Sequence, residues 1–186
     1  KSKLPENPTL QKHMAIMERE IASSNKIISD LLGFAQTRLP EMVPCDINKV
    51  IEESLDAVKV PENINIIKEL SPDLPARADS DRLRQVFVNL SLNAVQAMRD
   101  GGRLKIATRK KDGFIEVEFT DTGCGIPQEN KEKICDPFFT TKAQGIGLGL
   151  AVTRRIIESH NGIIEVTSEV NKGATFLVKL PIWKEA

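Results

Sequence analysis

The sequence predicts an α+β protein: one long helix, then a two-layer α/β sandwich whose mixed, mostly antiparallel sheet carries helices on one face. Three observations predict it. Leu10, Met14, Met17, Ile21, Ser24, Ile28, Leu31 and Ala35 recur in alternating steps of four and three, the seam of a coiled coil or helical bundle. Beyond residue 46, alternating runs such as "RLKIATR" and "FIEVEFT" read as strands half-buried on one face. Helical stretches interleave with them, the pattern of helices laid on one side of a sheet.

In chain order, residues from about Thr9 to Gln36 read as one helix, about 40 Å long at 1.5 Å per residue. Its seam needs a partner surface, and dimerisation is the expected use. "TRLPEMVPCD" (37–46) breaks the pattern with two prolines. The chain is therefore divided into a helical part (1–37), a linker (38–45) and a sandwich domain (46–186). Residues 46–58 read as a helix with Asp46 as cap, and "INIIKEL" (64–70) as a strand. A long helix follows over 79–99, with Asp79 and Ser80 as cap candidates. Asp112-Gly113 joins "RLKIATR" and "FIEVEFT" as a tight hairpin turn. Glycines and prolines fill 122–146 around one short helical piece, a further helix covers about 148–160, and "GIIEVTSE" with "ATFLVKLP" form the closing strand pair.

At 186 residues the chain holds one full domain and a smaller element. Its formal net charge is zero, so no global field favours nucleic acid or an anionic membrane. Arg109-Lys110-Lys111 reads as solvated strand-end charge beside the turn. The irregularly spaced Cys45, Cys124 and Cys135 suit a reduced protein better than a disulfide framework. No signal peptide and no run of about eighteen apolar residues is visible, so a cytoplasmic location is expected, with membrane anchoring left to a longer parent. The chain starts at Lys1 without an initiator methionine and reads as a piece of such a parent.

Four stretches carry candidate chemistry. In "NLSLNAVQAM" (89–98), Asn89 and Asn93 are four apart and share a helix face. One buried asparagine ordinarily satisfies a neighbouring backbone group; two suggest a face turned to something polar, and a neutral carbonyl oxygen suits Mg²⁺. In "DTGCGI" (121–126), Asp121 ends an apolar strand, where a carboxylate needs hydrogen bonds. An acceptor-only group there would pair with an exocyclic amine such as that of adenine, although an ordinary Asp-containing turn fits the same letters. The loop from Gly125 to Gly147 exceeds twenty residues, a length that suggests a lid. It contains "DPFFTTK" (136–142), with two aromatics for anchoring, and ends in Gly145, Gly147 and Gly149 at a helix start, a location favourable to phosphate. Neither a P-loop nor the dinucleotide GxGxxG is present.

Together, from about residue 46 to Pro181, the chain resembles the catalytic ATP-binding domain of sensor histidine kinases, within the wider class of Bergerat-fold (GHKL) ATPases. "NLSLNAVQAM" resembles the N box, "DTGCGI" the G1 box, "DPFFTTK" the F box and "GIGLGL" the G2 box. "NAVQAM" with "PFFTTK" is most similar to the nitrogen-regulation branch. The N-terminal helix resembles the second helix of the dimerisation and histidine-phosphotransfer domain. The resemblance implies that Asn93 ligates the Mg²⁺ that bridges the phosphates and that Asn89, one turn earlier, helps hold those phosphates. It implies that Asp121 accepts from adenine with Thr175 nearby through water, that Ala97, Gly125 and Ile126 line the base pocket, and that Gly123 belongs to the nucleotide-binding set. Thr141, Lys142 and the backbone at Gly145, Gly147, Leu148, Gly149 and Leu150 would hold the phosphates.

Implied with these are ATP and Mg²⁺ as ligands, a response-regulator receiver domain as partner, and a homodimer through the N-terminal helix. Three departures stand out. Ile146 replaces the usual threonine or serine of the G2 box, Cys135 replaces an aromatic of the F box, and no phosphoacceptor motif is present. His13 lacks an acidic neighbour and reads as a surface or seam residue. His160 reads as an imidazolium capping a helix C-terminus. The expected function is a histidine-kinase module whose acceptor histidine lies outside these residues. Hydrolytic relatives carry a glutamate base where Asn89 stands. A serine kinase on the same fold and a non-enzymatic nucleotide-binding scaffold are the remaining alternatives.

Overall fold

The computed structural model describes residues 9–18, 20, 21, 28, 39–142 and 145–183. The chain divides into two compact units, Lys1–Gln36 and Thr37–Ala186. In the first, residues 9–18, 20, 21 and 28 are helical, as the seam predicts. Leu10, Met14, Met17, Ile21 and Ile28 are exposed and form an apolar stripe. Ser24, Leu31 and Ala35 lie outside the described residues.

In the second unit, a five-stranded sheet is built from β2 (Ile64–Leu70), β4 (Gly102–Lys111), β5 (Phe114–Asp121), β6 (Ile163–Glu169) and β7 (Gly173–Pro181). Their order is β2-β4-β5-β7-β6, with β2 parallel to β4 and the other pairs antiparallel. Lys111 pairs with Phe114 across the Asp112-Gly113 turn, whose residues have φ of 50° and 82°, the two-residue turn that dipeptide favours. A separate pair, β1 (Val43–Asp46) with β3 (Pro75–Ala78), is antiparallel. The strand β1 lies within the stretch read as a linker. Both strands are four residues long and contain proline, so neither gives a readable period.

The helices are α1 (Ile47–Asp56), α2 (Ser80–Ala97), α3 (Gln128–Lys131) and α4 (Gly149–Ser159). Asp46 caps α1 by accepting from the Asn48 N–H at 2.9 Å, and Asp79 caps α2 by accepting from the Arg82 N–H at 3.2 Å. The helix α2 packs on α1, on α4 and across β5. There Phe87 and Phe119 stack at 5.7 Å between ring centroids, centring a core that includes Ile47, Ile51, Leu83, Leu90, Leu104, Ile106 and Ile157. Side chains alternate along a strand, so Ile115, Val117, Phe119 and Asp121 of β5 share the helical side. The opposite face is polar: Arg109 pairs with Glu116 at 2.6 Å, and Lys179 with Glu165 at 2.7 Å. This is the two-layer architecture the sequence predicts.

Candidate nucleotide-binding site

Asp121 ends β5 on the helical side and is 4% exposed. Burial pushes its carboxyl above the usual carboxylate range, while hydrogen bonds from the Gly123 and Ala174 N–H groups pull it back. Both bonds fall on Oδ1, at 2.8 and 3.3 Å. Among the described residues Oδ2 accepts no hydrogen bond, which leaves an oriented acceptor for an external donor.

The turn after Asp121 is fitted to its neighbours by backbone contact. The Cys124 N–H donates to the Ala97 carbonyl at 3.1 Å, and a Cβ on Gly123 would sit 2.6 Å from that carbonyl oxygen. Gly125 has φ of 70°, and a Cβ there would collide with the Glu169 backbone. The Ile126 N–H donates to Ser168 Oγ at 2.8 Å, and that hydroxyl donates to the Gly173 carbonyl at 2.7 Å. Ala97, Asp121, Gly123, Gly125 and Ile126 are therefore gathered around the end of β5.

Thr175 does not join them. Phe176 pairs with Phe119 on the helical side, so Thr175 points to the opposite face, where its Oγ1 lies 2.9 Å from Thr120 Oγ1. The residue of β7 that reaches Asp121 is Ala174, through its backbone. The alternation of β7 around Phe176 is the sequence signal that distinguishes the two.

Asn89 is buried and donates from Nδ2 to the Gly149 carbonyl at 3.3 Å, tying α2 to the first turn of α4. One turn on, Asn93 Oδ1 accepts from Lys142 Nζ at 2.7 Å, and the same ammonium donates to Gln96 Oε1 at 2.5 Å. The lysine ammonium thus occupies the oxygen that the sequence assigns to a metal. Gln96 was not anticipated, although it stands three residues from Asn93 on the same helix.

Among the described residues between Gly125 and Gly147, only α3 is regular. The Phe138 N–H donates to the Gly147 carbonyl at 3.0 Å, with both residues at positive φ. Phe138 is 62% exposed, so it anchors nothing within the described residues, while Phe139 is half-buried. Thr141 is exposed, and the Gly145 N–H donates to the Lys142 carbonyl at 3.1 Å. Leu148 is buried at the start of α4, and its side chain caps nothing, so among the described residues the first N–H groups at Gly149 and Leu150 have no side-chain cap. Cavities of about 380 and 470 Å³ lie elsewhere, beside Cys135 and Arg154 and beside Cys45 and Trp183.

His160 departs from the expected imidazolium. It is 2% exposed, and burial holds its ring below the ordinary histidine value. Nε2 accepts from the Asp79 N–H at 3.0 Å, so the proton sits on Nδ1 and donates to the Ile156 carbonyl at 2.8 Å. The neutral ring is structural, and His13 is an exposed helical residue. Among the described residues no helix is long and apolar enough to cross a membrane.

Residues 78–184 match the family model described as histidine kinase-, DNA gyrase B-, and HSP90-like ATPase. The chain is 41% identical over 181 residues to the signal transduction histidine-protein kinase AtoS of Escherichia coli (strain K12), covering 95% of this chain and 30% of that protein. Among solved structures, full-length ShkA in complex with AMPPNP aligns with a TM-score of 0.82 at 26% identity, covering 100% of this chain and 41% of that one. Histidine kinase ThkA in complex with the response regulator protein TrrA aligns at 0.78 and 32% identity, covering 98% of this chain and 53% of that one. With the fold, the four motifs and these matches in agreement, the chain belongs to the histidine kinase-, DNA gyrase B- and HSP90-like ATPase family, as a sensor-histidine-kinase domain.

Proposed function

We propose that this chain binds Mg·ATP and, in the intact protein, delivers the γ-phosphoryl group to a histidine of a phosphotransfer helix for relay to a response-regulator aspartate. The observation that carries the reading is Asp121: Oδ1 is held by two backbone N–H groups while Oδ2, with no hydrogen bond among the described residues, is the acceptor for the adenine amine. Asn93 and Gln96 supply the neutral oxygens for a cation, and Lys142 supplies charge for phosphate. Bound Mg²⁺ would contribute charge neutralisation across the phosphates. Asn89 holds the first turn of α4, whose uncapped N–H groups suit the phosphate chain. In this reading the residues orient and neutralise; none is a general base, and the acceptor imidazole is the nucleophile.

Neither histidine of the chain suits the acceptor role: His160 is buried in the fold, and His13 lacks the acidic neighbour and proline. The exposed stripe from Leu10 to Ile28 supports homodimerisation in the parent, and ThkA's complex with a response regulator supports that class of partner. The likeness to the nitrogen-regulation branch rests on "NAVQAM" and "PFFTTK" alone. Incubating the chain with γ-labelled Mg·ATP and a separate phosphoacceptor helix domain tests the reading. Acid-labile label on that domain's histidine is expected. Binding without transfer to any acceptor domain would favour a nucleotide-binding scaffold, and acid-stable label a serine kinase.

A further inference from the structure

The helices that carry the two halves of the candidate site run antiparallel and are pinned to each other twice. One pin is the Asn89 Nδ2 bond to the Gly149 carbonyl at the start of α4. The other is at its end, where His160 Nε2 accepts from the Asp79 N–H. The spans between the pins are close: Asp79 to Asn89 along α2 is about 15 Å and Gly149 to His160 along α4 about 16.5 Å at 1.5 Å per residue. His160 is held at the helix end by a closed C-terminal turn. The Asn161 N–H donates to the Glu158 carbonyl at 3.0 Å and the Gly162 N–H to the Ile157 carbonyl at 2.9 Å, with Asn161 at a φ of 55°.

We propose that His160 is a positioning residue: through its bond to Asp79 it sets the register of α2 against α4, and so the placement of Asn89 and Asn93 against the Gly145–Leu150 turn. The inference rests on the nucleotide reading only for its functional consequence. Asp79 is suited to receive the pin, because its carboxylate already ties α2 and the chain before β1, accepting from the Arg82 and Glu41 N–H groups at 3.2 and 3.1 Å. The charged groups facing the ring are that carboxylate and the Arg82 guanidinium, which pair at 3.5 Å; Ser159 Oγ lies 3.5 Å from Nδ1. Asp79 favours the protonated ring and Arg82 opposes it, while burial dominates and lowers the titration.

The bond needs the Nε2 lone pair, so protonation abolishes it. Because the folded ring titrates below the unfolded one, the pin is complete above the ordinary value of 6.5 and is lost as pH falls below it. Two variants separate the functions of the ring. His160→Gln keeps an acceptor near Nε2 and cannot titrate, whereas His160→Asn keeps only the donor near Nδ1.

The test measures the hydrogen-exchange protection factor of the Asp79 amide and the affinity for Mg·AMPPNP between pH 5 and 8, with thermal unfolding confirming that each variant is folded. In the wild type, protection should fall about tenfold as the ring protonates, with affinity falling alongside. In His160→Gln protection should stay flat, and in His160→Asn it should be low at every pH. Asp121 and the nucleotide phosphates have protonations of their own, so affinity is compared with His160→Gln at the same pH: the wild type should fall below it as the ring protonates, and His160→Asn at every pH. Wild-type protection in His160→Asn, or parallel acid losses of protection in the wild type and His160→Gln, would overturn the inference. The expected exchange pattern with no AMPPNP binding would sink the nucleotide reading and leave the helix coupling standing.

Discussion

At the Asp121 end of the site the partners are backbone groups. The Gly123 and Ala174 N–H groups hold the carboxylate, Cys124 hangs on the Ala97 carbonyl, and Gly125 lies against the β6–β7 turn. At the Lys142 end they are side chains: one exposed ammonium reaches Asn93 and Gln96, and Thr140, Thr141 and Gly145 nearby are exposed. Backbone contacts move only with the fold, whereas a long exposed side chain exchanges partners with water at small cost. The first end is therefore fixed before a ligand arrives, and the second is arranged to give up its internal partner when a better one enters.

The largest expected effect breaks the fixed end. Gly125→Ala would put a Cβ at positive φ against the Glu169 and Gly173 backbone, which cannot yield like a flexible side chain. A loss on the order of 3 kcal/mol in chemical denaturation is expected, with loss of nucleotide binding. Gly113→Ala is the control, for φ is also positive there but the space is open; about 1 kcal/mol and unchanged binding are expected. Equal effects at both sites would mean that the contact at Gly125 contributes nothing.

A smaller effect is expected at the exchangeable end. Lys142→Met removes an exposed tether, so stability should change by less than about 0.5 kcal/mol. A charged hydrogen bond to phosphate is worth about 1.5–3 kcal/mol, so Mg·AMPPNP affinity, read by calorimetry, should fall by roughly ten- to a hundredfold. A large stability loss with unchanged affinity would make Lys142 a structural residue.

The same contrast explains what could be read from the sequence. The sandwich was legible because β4, β5 and β7 alternate cleanly and because Asp46, Asp79 and Asp112-Gly113 mark ends and turns by local chemistry. Asp121 with its glycines was legible for the same reason, since a carboxylate ending an apolar strand demands nearby N–H groups. What escaped depends on pairing across the chain. The strands β1 and β3 are too short to show a period, and the Lys142 contact to Gln96 spans 46 residues. His160 was read from its own helix as a charged cap, but its partner lies 81 residues away and requires a neutral ring. Thr175 was placed beside Asp121 by likeness, although the parity of β7 turns it to the other face.

The contrast between a fixed base end and an exchangeable phosphate end is tested most directly at Asp121, by measuring Mg·AMPPNP affinity and thermal stability of Asp121→Asn at pH 7.5. The amide keeps an oxygen for the Gly123 and Ala174 N–H groups but presents a donor where Oδ2 offered an acceptor. The folded carboxyl titrates above its usual range, so its ionised form opposes folding at neutral pH, and a neutral amide should leave Tm equal or higher. Affinity should fall at least about thirtyfold while Tm holds. Unchanged affinity, or a loss of affinity matched by a fall in Tm, would contradict the assignment of Asp121 as the adenine acceptor.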